Sequence, residues 1–308
     1  MLGNSGRAGA VMALAVVAVS CGAVGCGHGP DVKNESETTT MEITTAEVVS
    51  GTPTATDVNG NGRADADPGD QDWPGKMIVV MEDASSPDAV RGREFMERNN
   101  LLQQLADDIN GTLKLPYDIT LKSSECGEPN DYWSTSERSI TMCYEYATKA
   151  LDVFTKLGDA DPEQAAFDTE LEAFYHESGH MVVNIYDLPA TGRKEDVADQ
   201  ASTYLLLRPV DGQIDAASIN AVKNTARLYK DSSEENGGEI DDSALADSHT
   251  PDRARMYNFE CWAYGADPNQ AADLVTDGLL PEDRADGCQD EYEKLKHAWD
   301  TLLGPYVR

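Results

Sequence analysis

From Asp161 to Pro189 the chain reads as one long helix with a marked start and a marked stop, and the rest of the fold has to be arranged around it. Asp161 suits the N-cap, Pro162 the first helical position, and Gln164 can close a capping box. Asp187-Leu188-Pro189 ends the helix near Tyr186. Inside it stands His176-Glu177-Ser178-Gly179-His180. Residues four apart share a helix face, so His176 and His180 can aim imidazole nitrogens at one ion, with Glu177 beside them. Zinc lowers the pKa of a water toward about 7, and a neighbouring carboxylate can accept its proton. H-E-x-x-H on a helix is therefore the pattern of zinc-dependent peptide hydrolysis.

A zinc that does chemistry takes three protein ligands and keeps one position open. Residues 181–191 hold no histidine, which excludes a metzincin arrangement. Glu195-Asp196-Val197-Ala198-Asp199 supplies the alternative. Glu195 and Asp199 lie four apart, so Glu195 can complete a His₂Glu set while Asp199 bonds a ligand imidazole from behind. Asp196 competes with Glu195 for the ligand role. A turn at Thr191-Gly192 lets the two helices pair. The pattern E-x-x-A-D resembles the third-ligand helix of gluzincins, the CAAX prenyl protease group in particular. Negative charge developing on a substrate oxygen needs a donor. His249 is the candidate, oriented by Asp247. Arg253 is the candidate for a substrate carboxylate or carbonyl, or for a structural carboxylate. His28 and His297 read as non-catalytic.

The chain has 308 residues, 56 acidic against 24 basic, for a formal charge of -32. That balance argues against a nucleic-acid partner, because phosphate binding relies on Lys and Arg. Arg7 and the apolar run 11–19 read as an export signal, too short for a membrane span of about 20 residues. Ser20-Cys21 and Gly25-Cys26 each end a lipobox-like run. Cys26 is preferred as the lipidated residue, because cleavage there leaves no stray cysteine, and its lipid would anchor the chain to a membrane. The expected location is the cell envelope, with plain secretion as the alternative. Residues 1–26 thus form a signal segment, 27–73 a disordered acidic linker and 74–308 one folded domain. Within the linker, Asp57, Asn59, Asn61 and Asp65 alternate oxygen side chains like a calcium loop, but Pro68 stands where a bidentate Glu would close it. Four cysteines remain in the domain. An even count in an exported chain indicates disulfides, and sequence-local pairing gives Cys126–Cys143 and Cys261–Cys288, each contributing about 3 kcal/mol.

The domain itself reads as α+β, mostly helical behind a small N-terminal sheet. Buried strand character appears at 76–81 and alternation at 117–122. A helix is expected over 87–110, with Phe95, Leu102, Leu105 and Ile109 on one face and Gly111 closing it. A hairpin is expected over 132–144, turning at 134–137. Further helices are expected at 145–157, 194–207, 253–264 and 290–303, with a polar loop at 232–242.

From about residue 77 to the C-terminus the chain resembles a family of exported bacterial proteins described as metallopeptidases with undefined substrates. The resemblance rests on Cys126-Gly127-Glu128-Pro129-Asn130, on 140–145, on His176 to His180, on 188–200, and on His249, Arg253 and Cys261-Trp262-Ala263-Tyr264-Gly265. Asp252 departs from the Gln that the family places before the arginine. The resemblance implies a zincin-like domain acting on peptide or protein substrates. A zinc-binding envelope scaffold without activity is the alternative.

Overall fold

The computed structural model describes residues 73–209, 212–235, 240 and 242–308. Cys21, Cys26 and the calcium-loop candidates Asp57 to Asp65 lie outside the described residues. The elements run β1 (Met77–Met81), α1 (Pro87–Arg98), α2 (Leu101–Thr112), β2 (Ile119–Ser124), β3 (Asp131–Ser134), β4 (Ser139–Cys143) and α3 (Tyr144–Leu157). Then follow α4 (Pro162–Ile185), α5 (Lys194–Leu206), α6 (Ala216–Glu235), α7 (Asp242–Ala246), α8 (Asp252–Ala266), α9 (Ala272–Thr276), α10 (Glu282–Ala285) and α11 (Cys288–Leu303). This is an α+β arrangement, mostly helical, with one small sheet near the N-terminal side.

The sheet has the order β1-β2-β4-β3. β1 and β4 run parallel to β2, and β3 returns antiparallel to β4, pairing Tyr132 with Thr141 and Trp133 with Ile140. The expected hairpin is thus present, and it leaves β3 on an edge. β1 is less buried than its apolar sequence suggested, with Ile78 and Val80 turned to solvent. The core on the inner side is built from residues such as Phe95, Leu105, Ile109, Leu121, Ile140 and Phe154. Both expected disulfides are formed. Cys126–Cys143 fastens the chain after β2 to the end of β4, and Cys261–Cys288 joins α8 to α11.

Three expectations need correction. The helix over 87–110 is two helices, because Asn100 adopts a left-handed conformation (φ 49°) and Asn99 closes α1. Gly111 therefore lies inside α2 instead of ending it. The polar stretch 232–242 is helical as far as Glu235, as the end of α6. Gln164 donates to Asp168 Oδ1 and so does not close a capping box, although Asp161 caps the Gln164 N–H as expected.

α4 positions everything that matters for function. It packs against α5, α6, α3 and the edge strand β3, so most of its surface is buried. Gly179 allows the closest approach. A Cβ there would sit 2.9 Å from Ala201 Cβ and 3.0 Å from Ala198 Cα. Small residues on both helices thus bring α5 tightly against the histidine-bearing turn. Among the described residues no helix is long and apolar enough to cross a membrane.

Candidate metal centre

The two histidines of α4 converge on one carboxylate oxygen from α5. His176 Nε2 lies 3.2 Å and His180 Nε2 3.0 Å from Glu195 Oε2. All three donor atoms fall within 4.8 Å of one another. Two neutral imidazoles and a carboxylate form a donor set that suits zinc. Glu195 is 4% exposed, so its charge needs a compensating partner. Burial alone would raise its pKa, but bonds to His176, His180 and Lys194 outweigh that and hold it far below the ordinary range. Burial would lower His176, yet its bonds to Asp199 and Glu195 raise it to about 10. The imidazole proton thus marks the point where a cation would enter, and ligation there requires that the proton leave. The residues present fit a zinc ion.

Behind His176 stands a second layer. Asp199 Oδ1 lies 2.8 Å from His176 Nδ1. Arg255 donates to both oxygens of Asp199, from Nε at 2.8 Å and from Nη2 at 2.6 Å. The guanidinium also lies 4.1 Å over the Tyr229 ring. Burial pushes Asp199 up, and His176 and Arg255 outweigh it, so Asp199 is held ionised. Such a carboxylate fixes the tautomer and orientation of a ligating histidine. Glu172, His176 and Asp199 form another close group. Asp199 is already neutralised by Arg255 there, so the set with Glu195 is the better cation site.

In front of the centre lies a cleft of about 470 Å³, walled by β3, α4, the start of α5 and the segment before α8. Glu177 faces it and accepts the Trp133 backbone N–H at 2.7 Å on Oε2. His249 stands opposite, half exposed, with Nε2 3.4 Å from Glu195 Oε2 and Nδ1 2.9 Å from Asp247 Oδ1. Asp196 does not line the cleft. Nor does Arg253, which is exposed on the outer face of α8. Arg255, two residues on and on the opposite face, is the arginine that reaches the centre.

The family model described as "Putative metallopeptidase" (DUF4344) matches residues 81–303. The chain belongs to this family. Membership supports a peptidase role, and with it a metal and peptide or protein substrates. Neither the curated proteins nor the solved structures include a match. Among the residues gathered at the centre, the sequence singled out His176, Glu177, His180, Glu195, Asp199 and His249. It passed over Trp133, Tyr146, Glu172, Lys194 and Tyr229, which also line the cleft. Trp133 acts through its backbone, so its side-chain identity carries no signal. Tyr229 sits on α6, a helix whose Ile219, Val222 and Ala226 show helical spacing but whose polar ends masked it.

Two further acids with buried carboxyl oxygens, Asp131 at the start of β3 and Glu170 on α4, form no ion pair among the described residues. Glu170 is fully buried with no protein hydrogen-bond partner on either oxygen, and burial raises its pKa to about 8. Asp131 Oδ1 accepts the Cys143 N–H, its Oδ2 has no partner, and burial together with Glu170 pushes it well above the carboxylate range.

Proposed function

We propose that the chain is a zinc-dependent peptidase of gluzincin type on a zincin-like fold, acting on peptide or protein substrates at the cell envelope. The observation that carries this reading is the meeting of His176 Nε2 and His180 Nε2 at Glu195 Oε2, with Glu177 facing the same cleft. His176, His180 and Glu195 would hold the zinc. Bound there, it would polarise a carbonyl and make water acidic enough to deprotonate near neutral pH. Glu177 would serve as general base toward the attacking water and as general acid toward the leaving amine. The Trp133 N–H keeps the Glu177 carboxylate aimed into the cleft. His249, its ring oriented by Asp247 at Nδ1, would face the oxygen that gains negative charge. Arg255 keeps Asp199 ionised and so keeps His176 in place. β3 is an edge strand beside the centre, and an extended peptide can pair with such an edge.

The envelope reading is supported by the apolar run 11–19, the lipobox-like cysteines and two disulfides, which persist in oxidising compartments. The test is Glu177→Gln. It should keep zinc and lose about 10²- to 10⁴-fold in cleavage rate. Full cleavage by this variant would overturn the mechanism. Stoichiometric zinc without cleavage of any peptide by the wild type would favour a scaffold.

A further inference from the structure

The cleft is not the only recess at the centre. A second cavity of about 250 Å³ lies past His180, and His180 and Lys194 wall both. α4 floors the pair. Glu172, His176 and Glu177 line the first, and His180, Val183 and Asn184 carry the floor into the second. From Glu172 to Asn184 the helix rises about 18 Å at ~1.5 Å per residue. That length matches about five residues of extended chain at ~3.4 Å each. The two ends differ in chemistry. Tyr146, Glu172, Tyr229 and Arg255 make the first end polar. Val183, Leu188, Ala190 and Val197 give the second an apolar wall, beside His180, Asn184, Asp187 and Lys194. At 250 Å³ it falls below the ~300–1,000 Å³ of pockets for whole small molecules, and it suits a single side chain.

We propose that this second recess is a side-chain subsite of the same cleft, taking one medium-sized apolar residue such as leucine or methionine from the substrate. It rests on the zinc-peptidase reading and adds a substrate class to it. The four apolar side chains favour an apolar occupant, because burying it against them removes apolar surface from water. The lysine that also lines the recess, Lys194, is paired with Glu195.

The test compares N-acyl-leucine hydroxamate with N-acyl-glycine hydroxamate on zinc-loaded full chain. Each is measured on wild type, Ala190→Trp and Val183→Trp, with zinc stoichiometry as the check that the centre has formed. A filled hydrophobic subsite discriminates by roughly 10- to 200-fold. The wild type should therefore favour the leucine compound by at least about 10-fold, and a tryptophan in the recess should bring that ratio below about 3. A wild type that takes up zinc but binds both compounds equally overturns the subsite alone, as does a variant that keeps the full ratio. A wild type that takes up no zinc breaks the peptidase reading and the subsite with it.

Discussion

Two sets of buried carboxyls flank α4, and they solve the same electrostatic problem in opposite ways. Toward α5 and α8, Glu195 and Asp199 are held ionised, by His176, His180 and Lys194 in one case and by His176 and Arg255 in the other. At β3, Asp131 and the nearby Glu170 form no ion pair among the described residues, and burial raises both. A buried charge is tolerated when paired and otherwise gives way to the neutral form. The ligand set and its support are kept negative, as cation binding requires. At the edge strand burial favours the protonated form, raising Asp131 and taking Glu170 to about 8. Carboxyls bonded to a cation are thus held ionised, while burial raises those that lack such a bond, Glu172 to about 7 and Glu170 to about 8.

The strongest way to break this contrast is to take the cation from the ionised set. Arg255→Met leaves Asp199 buried with one partner fewer, which should cost about 3–5 kcal/mol of stability by denaturant unfolding. Zinc affinity should fall about 10- to 100-fold as His176 loses its support. Unchanged affinity would mean that Asp199 does not position the histidine. The neutral set is tested by pH. Glu170 has a folded pKa of about 8 against an ordinary value of 4.5. Below 4.5 the carboxyl is protonated in both states. Between 4.5 and 8 only the unfolded chain releases the proton, so stability falls as pH rises through that window and the loss is complete above it. Glu170→Gln removes this dependence. The variant should gain on wild type from pH 5 to pH 8, by on the order of a few kcal/mol at the upper end. A difference that stays constant with pH would show that Glu170 is not protonated in the fold. A smaller effect lies outside both sets. Asn100→Ala should lower stability by about 1 kcal/mol, because alanine pays for the left-handed turn that asparagine tolerates.

Much of the centre was legible because it is written in local spacing. His176, His180, Glu195 and Asp199 sit at helical intervals, and the caps around α4 are short-range signals. The near-neighbour disulfides were legible for the same reason. Arg253 and Arg255 show the limit. Both lie on α8, within a few residues of His249 just before it, and only the seating of α8 against α6 and α11 decides which faces inward. The break at Asn99-Asn100 was hidden because the apolar stripe continues across it through Phe95, Leu102 and Ile109. The state of Glu170 was also hidden, since a glutamate on an acidic helix looks solvated until its neighbours are packed around it. The recess past His180 is walled by Asp187, Leu188, Ala190 and Gly192 of the segment after α4, which no periodicity reports.

The central claim is that His176, His180 and Glu195 form one metal site. Elemental analysis of the purified full chain tests it most directly, with wild type, His180→Ala and Glu195→Ala loaded and dialysed together. One zinc per wild-type chain is expected, with a large loss in both variants and both disulfides still formed. Equal zinc in all three, or none in the wild type, would contradict it.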